Sequence, residues 1–465
     1  MNFRIRALLG ALVIVVVAAA AVLVVRYRDG AGAASPGIDV ATTGDLSGIL
    51  DANGADGPAM AAMALHKLED TYYKPVDPQT LVAGERTALD EYLRSKKISE
   101  ATLPAERGSD EAGSAAAELA YAQTHYAGKL GPNGRTDLSE AALRGMLNSL
   151  KDPYTVYLSP REIQGLDESL SGGNFGGIGV YIYQLKDGRI VVQPIEQMPA
   201  SRSGMKPGEV VDTVGGISIR GMTLDRVEQL IRGEPGTVVR MTTHPFAGKP
   251  RERSYSIVRE IIHVPSVRAK MEDGYDYIRL SDFGKTSADE VRQAILQGQA
   301  HGAKGYILDL RDNGGGLLEA AVKISSLFVN QGTIVSTIRR DGQRTSEEAL
   351  GTAIGGMAPL VILVNKYTAS ASEITAGALQ DYHLATLIGT RTFGKGVVQS
   401  IYPMPDRGAL KITTARYVTP LGRDIQHRGI EPDVVVEQSA DPAIIDTPAD
   451  KQLAAAKRRL KSQSH

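Results

Sequence analysis

The second half of the sequence alternates between short β-branched apolar runs and segments with helical spacing, and this alternation restricts the fold more than any other feature. Apolar runs at residues 305–310 and 360–364 are each followed by a helical pattern, at 317–328 and 371–379. Strands that alternate with helices form parallel sheets covered by helices. We therefore predict an α/β domain over residues 263–437.

A helical region is predicted before this domain. Residues 59–93 and 138–150 carry apolar side chains at the spacing of a helix, which indicates a helical region over residues 59–171. The stretch around 95–132 is polar, and its pattern assigns no structure.

Residues 172–262 have a different pattern, with five short β-branched runs and one helical segment at 224–232 that follows Thr223 as a cap. This pattern predicts a small, partly open β-barrel with one helix. The tail, residues 438–465, contains a short basic helix that we expect to be a solvated end.

An uncharged apolar run of 19 residues, 7–25, has two arginines on each side. It is long enough to cross a bilayer, although alanines at 18–21 keep a cleaved signal peptide open. We predict a membrane anchor (or signal peptide) at 1–28 and a flexible tether at 29–58. The flanking charges weakly favour a cytoplasmic N-terminus, with the remaining chain outside the cytoplasm.

Composition narrows the function. The 465 residues suffice for about three domains, and 52 basic against 53 acidic side chains give a net charge of −1. This balance provides no basic field for nucleic acid, so we expect no nucleic-acid partner. The absence of cysteine excludes a thiolate nucleophile, and no histidine lies in an H-E-x-x-H zinc motif. We expect no metal and no cofactor.

Three segments carry candidate chemistry. The first is Ser370-Ala371-Ser372-Glu373, between a buried run and a helix. Ser370 and Glu373 fit an ordinary capping box, but a hydroxyl at a helix N-terminus also lies beside free amides suited to an oxyanion. Both interpretations stay open at this point.

The second segment, residues 389–396, has the G-x-x-x-x-G-K spacing of a phosphate-binding loop. Position 396 is Gly rather than Ser or Thr, and β-branched residues follow, which disfavours a nucleotide site. Lys395 is either an ordinary solvated lysine or, between glycines and apolar neighbours, a desolvated base. The third segment, residues 309–318, is a strand, a glycine turn and a helix start that can present backbone amides to a ligand.

Together these segments resemble the C-terminal processing peptidases, the tail-specific serine proteases of bacteria and chloroplasts. The resemblance extends from about residue 138 to 436. Its motifs are Asp152-Pro153-Tyr154, Tyr157-Leu158-Ser159-Pro160, Phe175-Gly176-Gly177-Ile178-Gly179-Val180, Asp309-Leu310-Arg311, the Ser370 segment, Thr392 to Gln399 and Gly429-Ile430-Glu431-Pro432-Asp433.

The resemblance implies a crotonase-like α/β serine peptidase core with an inserted PDZ domain at 172–262. It implies Ser370 as nucleophile, Lys395 as base and Gln399 as the support of the lysine. Strand alternation would place residues 395, 397 and 399 on one face, in agreement. As base, Lys395 needs a pKa well below the ordinary value of about 10.4.

The resemblance also implies the binding groups. The oxyanion hole would be the amide of Ala371 with that of Gly315 or Gly316. The carboxylate-binding loop of the PDZ domain would be Gly177, Ile178, Gly179 and Val180.

The expected function is cleavage of proteins whose free C-termini bind the PDZ domain, by an enzyme anchored in the cell membrane with its catalytic domain on the non-cytoplasmic side. The alternative is a catalytically silent scaffold that only binds peptides. The natural substrate, an adaptor and self-association stay open.

Overall fold

The computed structural model describes residues 57–98, 102–103, 108–170, 175–185, 187–246, 251–356, 358–438 and 444–463. None of its helices in these ranges has the length and apolar character needed to cross a membrane. The predicted anchor, and all of the predicted tether except its last two residues, lie outside the described residues. Contacts divide the chain into two compact units, one within Ser171–Pro265 and one made of Asp29–Leu170 and Ser266–His465.

The N-terminal helical region consists of four helices around an apolar core of Leu, Ala, Met and Tyr side chains. Asp77 caps the second helix by accepting a hydrogen bond from Gln79 N–H, and Pro78 occupies its first turn. The second and fourth helices approach closely at Gly84, where a Cβ would lie 2.7 Å from the Gly145 carbonyl oxygen. The helices are α1 (Gly57–Thr71), α2 (Pro78–Ser95), α3 (Glu111–Tyr126) and α4 (Gly134–Asn148), with a 3-10 turn at Ala127–Lys129.

Helix α3 lies in the polar stretch that the sequence pattern could not assign. It begins at a recognisable cap, because the Asp110 carboxylate accepts a hydrogen bond from Gly113 N–H at 2.7 Å. Its buried face combines three alanines with Leu119, Tyr126 and the polar Glu118 and Gln123. Because only two of these side chains are large and apolar, the apolar periodicity is weak in the sequence.

The unit within Ser171–Pro265 is a small β-structure with one main helix. Its sheet has the strand order β3-β4-β5-β7-β8 with β6 beside β5, and β2 pairs with β9. The predicted cap is confirmed, since Thr223 Oγ1 accepts from Arg226 N–H at 3.3 Å. Its elements are β2 (Phe175–Gly177), β3 (Val180–Gln184), β4 (Ile190–Pro194), α6 (Pro199–Arg202), β5 (Glu209–Val214), β6 (Ile217–Ser218), α7 (Leu224–Ile231), β7 (Val238–Pro245), β8 (Arg253–Val258) and β9 (Glu260–Ile262).

The α/β domain is built on a six-stranded sheet of order β10-β11-β12-β15-β16-β19, in which every pair after β10–β11 is parallel. The predicted alternation of strands and helices is confirmed. Its elements are β10 (Val267–Glu272), β11 (Tyr275–Leu280), α8 (Ser287–Ala300), β12 (Tyr306–Asp309), α9 (Leu318–Ser325), β15 (Leu360–Val364), α10 (Ala371–Asp381), β16 (Ala385–Gly389) and β19 (Val434–Val435).

A second sheet, of order β1-β18-β13-β14 with β17 also on β18, joins the helical region to this domain. Strand β1 pairs antiparallel with β18, with Tyr157 opposite Leu410. The pairing matters for the site because β17 and β18 carry several of its side chains. The elements are β1 (Val156–Leu158), α5 (Pro160–Leu170), β13 (Thr333–Ile338), β14 (Arg344–Glu348), β17 (Val397–Pro403) and β18 (Ala409–Val418).

The expectation of a solvated tail is wrong. Helix α11 (Lys451–Gln463) buries Leu453, Ala456 and Leu460 against the six-stranded sheet, among residues of β11, β12 and β15. The helix is amphipathic: its basic residues make its composition polar, while its apolar residues lie on one buried face.

Candidate active site

Ser370 lies in a strained turn between the carboxyl end of β15 and the start of α10. Its φ of 61° and ψ of −119° are unusual for a residue with a side chain and cost about 1–3 kcal/mol. The residue is fully buried, and its Oγ forms no hydrogen bond with a described residue. A buried hydroxyl at a strained position ahead of a helix is typical of a nucleophile, and the same serine also stands at the start of a capping box with Glu373.

Glu373 supplies the other half of the capping box and joins two segments of the site. Its buried carboxylate accepts hydrogen bonds from the N–H groups of Ser370 (2.8 Å), Gly394 (2.7 Å) and Lys395 (2.9 Å), and from the Thr392 hydroxyl. Burial raises the pKa of Glu373 to about 7, although these donors lower it. The carboxylate therefore holds the Ser370 and Lys395 backbones in a common frame.

Tyr417 of β18 makes a second link between the same two residues. Its hydroxyl lies 2.6 Å from the Lys395 carbonyl oxygen and 3.1 Å from that of Ser370. The glutamate and the tyrosine thus tie Ser370 and Lys395 together through both backbone donors and backbone acceptors.

Lys395 is fully buried, as predicted for a desolvated lysine, and its Nζ lies over the Tyr154 ring, 5.0 Å from the ring centroid. Close packing explains the flanking glycines. A Cβ on Gly394 would lie 2.7 Å from Gly429 N, and one on Gly396 would lie 2.8 Å from Gln426 N. Because strand β17 follows Lys395, the segment is not a nucleotide-binding loop.

Gln399 is also buried, on β17. Its Nε2 donates to Thr413 Oγ1 at 3.4 Å, while its Oε1 has no partner within the described chain. Residues 395, 397 and 399 do not alternate along one regular strand, as strand alternation had predicted. Strand β17 begins only at Val397, and its register with β18 shifts between Val398 and Gln399.

The glycine turn after β12 lies against the nucleophile turn. A Cβ on Gly315 would be 2.8 Å from Ser370 Cβ and 2.9 Å from Ala371 N. The Gly315 N–H donates to Asn313 Oδ1 at 2.9 Å. By contrast, the N–H groups of Ala371 and Gly316 have no acceptor among the residues that the structure describes. Gly315 thus lies against the nucleophile turn but its amide already has an acceptor, whereas the Gly316 amide has none among the described residues.

A buried ion cluster supports this turn from the other side of the strand. Arg311 is 2% exposed and bonds the Asp309 and Asp450 carboxylates, with Gln452 Oε1 at 3.2 Å. Asp450 and Gln452 come from the segment that sequence analysis had treated as a solvated tail. The contiguous Asp309-Leu310-Arg311 motif was the only signal available for this cluster.

The four predicted PDZ residues line a groove in the Ser171–Pro265 unit. The groove lies between Gly177–Val180, Ile182 of β3, and Glu228, Ile231 and Arg232 at the end of α7. Gly179 has a φ of 70°, and a Cβ there would lie 2.3 Å from Met198 Cβ. An apolar slot beside a strand and a glycine loop is suited to an extended peptide end.

Comparisons with known proteins identify the class. A peptidase family S41 model matches residues 274–436, and a PDZ domain model matches residues 190–243. The chain is 40% identical over 308 residues to a carboxy-terminal-processing protease of Bartonella bacilliformis, covering 65% of this chain and 70% of that protein. It is 38% identical over 304 residues to a probable CtpA-like serine protease of Staphylococcus aureus, covering 64% of this chain and 60% of that protein.

A solved photosystem II D1 C-terminal processing protease aligns with a TM-score of 0.45 and 27% identity, over 85% of this chain and 95% of that one. The chain belongs to peptidase family S41 and, within it, to the carboxy-terminal-processing serine proteases with a PDZ domain. The resemblance drawn from the sequence motifs is thereby confirmed.

Proposed function

We propose that this protein is an endopeptidase in which Ser370 and Lys395 form a catalytic dyad and the PDZ groove binds the free C-terminus of a protein substrate. The observation that carries the proposal is the buried Ser370 Oγ, which has no hydrogen-bond partner among the described residues and lies on a strained turn packed against Gly315. Gln399 supports the lysine, and no metal or cofactor takes part.

In the first chemical step, neutral Lys395 Nζ removes the Ser370 Oγ proton while the oxygen attacks the scissile carbonyl. The Ala371 and Gly316 amides stabilise the resulting oxyanion. The lysine returns its proton to the leaving amine, and water then hydrolyses the acyl-enzyme by the same route. Since Ser370 Oγ forms no hydrogen bond with a described residue, Lys395 Nζ must approach it more closely before catalysis.

The first test removes the nucleophile. Ser370→Ala should lower turnover of an unstructured fluorogenic polypeptide by at least about a thousandfold, because the variant lacks the attacking oxygen. Ser346→Ala, on strand β14, is the control and should retain full activity. Undiminished cleavage by Ser370→Ala would mean that another group is the nucleophile, whereas no cleavage by the wild-type chain would favour the silent-scaffold alternative.

The second test concerns recognition of the C-terminus. The full chain carrying Ser370→Ala should bind a peptide with a free carboxylate at least about tenfold more tightly than the same peptide amidated, by fluorescence anisotropy. Gly179→Val should abolish this preference, because its side chain collides with Met198. Equal affinity for the two peptides would contradict C-terminal recognition.

Residues 7–25 are proposed as the membrane anchor that places the catalytic domain outside the cytoplasm, on the basis of their length and lack of charge.

A further inference from the structure

The Asp152-Pro153-Tyr154 motif has no role in the mechanism described so far. Residues 152–155, here called the Asp152 turn, connect α4 to β1. We propose that the Asp152 turn is a positioning device for the dyad, in which the Tyr154 ring holds Lys395 in its charged resting position and Thr155 orients Gln399 through Thr413. This inference rests on the proposed role of Lys395 as base.

The ring contact is the first observation. Tyr154 is 8% exposed and Lys395 is fully buried, with Nζ over the ring face at 5.0 Å from its centroid. The negative face of an aromatic ring attracts an ammonium group and not a neutral amine. The contact therefore favours the protonated lysine, which is the form that cannot act as a base.

The hydroxyl chain is the second observation. Gln399 Nε2 donates to Thr413 Oγ1, and Thr413 N–H donates to Thr155 Oγ1 at 3.0 Å. Thr155 Oγ1 also lies 3.3 Å from Thr413 Oγ1. Both threonines are fully buried, so this chain is the defined route by which the turn contacts the glutamine.

One carboxylate fixes both parts of the device. Asp152 Oδ1 accepts from Tyr154 N–H at 3.0 Å, and Oδ2 accepts from the Thr155 hydroxyl at 2.8 Å. The position of the ring and the position of the hydroxyl are thereby coupled.

Other ionisable groups near Lys395 must be considered. The Glu373 carboxylate accepts a hydrogen bond from the Lys395 backbone N–H. The Tyr417 hydroxyl donates to the Lys395 backbone carbonyl. Asp152 contacts the backbone N–H of Tyr154. Next to Asp152 is Tyr72, whose pKa is raised by burial and by the Asp152 charge. The Tyr154 ring lies directly against Nζ, so a change of its face should act on the lysine charge.

The main experiment is the pH dependence of kcat/KM between about pH 6 and 10, using the full chain and an unstructured fluorogenic polypeptide. Wild type should show a rising limb as the lysine deprotonates. Tyr154→Leu should shift this limb toward lower pH by about half a unit to one unit, because the π face is lost while apolar volume stays. Tyr154→Phe keeps a ring and should leave the limb within about 0.3 unit of wild type.

A second measurement covers the case in which Tyr154→Leu does not fold. Phenylalanine with one, two or three ring fluorines at position 154 weakens the π face stepwise at nearly constant shape. The limb should move toward lower pH with each fluorine. A limb that stays in place through this series would overturn the role of the ring.

The hydroxyl chain is tested separately. Thr155→Val should lower kcat about tenfold or more with KM unchanged, and Thr155→Ser should restore it. Thr414→Val is the matched control, since the Thr414 hydroxyl bonds that of Ser400 across the same two strands. Equal losses in Thr155→Val and Thr414→Val would refute the role of Thr155.

The failure of the inference is distinguishable from failure of the proposed function. A wild-type profile with no rising limb, or full activity of Ser370→Ala, would refute the proposed Ser370–Lys395 dyad. If wild type shows the rising limb and Tyr154→Leu does not shift it, the dyad stands and only the proposed role of the Asp152 turn is refuted.

Discussion

At the scale of single residues, the site is organised by side chains that do no chemistry themselves. Glu373 receives four donors from two segments, and Tyr417 contacts the carbonyl groups of the same two residues. A strained Ser370 turn persists only when its surroundings hold it. These two side chains are the structural reason that it persists here.

Glu373→Gln should lower kcat at least about tenfold with little change in KM. The glutamine amide has only one acceptor oxygen, so its NH₂ group would lie against backbone N–H groups that now donate to the carboxylate. Those N–H groups would lose their acceptor. Glu319→Gln, in the first turn of the neighbouring helix α9 and exposed, is the control and should be fully active. Unaltered kinetics of Glu373→Gln would show that the frame is dispensable.

The same variant has a signature in stability. Burial raises the pKa of Glu373 from 4.5 to about 7, so between these values the folded state binds a proton that the unfolded state has released. The stabilisation is fully present below about pH 4.5 and is lost as the pH rises through 7. Relative to Glu373→Gln, the wild-type free energy of unfolding should fall by about 3 kcal/mol across this range, by urea denaturation. An equal pH slope in both proteins would contradict the raised pKa.

At the scale of elements, local sequence patterns predicted most of the fold. The strands and helices of the α/β domain and the cap at Thr223 were predictable because each depends on contiguous residues. Ser370, Lys395 and Gln399 were located by motif in the same way. Tyr154 and Tyr417 were not assigned to the site, because only tertiary packing brings them to Lys395.

Helix α11 is the element that the sequence pattern misjudged, and its link to Arg311 can be tested. Asp450→Asn should lower the free energy of unfolding by about 3 kcal/mol, because it removes one of the two carboxylates around a fully buried guanidinium. Asp446→Asn, which affects a partly exposed pair with Lys270, should cost less than about 1 kcal/mol. Equal effects of the two changes would mean that the buried cluster does not stabilise the fold.

At the scale of the whole molecule, the proposed anchor at residues 7–25 predicts where the enzyme acts. Full-length protein should sediment with membranes, and deletion of residues 2–28 should release it, because residues 7–25 supply the apolar span. Protease added outside intact protoplasts should digest the body. Protection of the body in intact cells, with digestion after lysis, would reverse the proposed orientation.

The Arg311 cluster also bears on when a newly made chain becomes active. Asp450 lies 139 residues after Arg311, which at about 5–20 residues per second means a delay on the order of ten seconds on the ribosome. Until Asp450 emerges, closing the core would bury a guanidinium that lacks one of its two counterions, at a cost of several kcal/mol. We therefore expect the glycine turn beside Ser370 to gain its full support only near the end of synthesis, after the rest of the candidate site has been made.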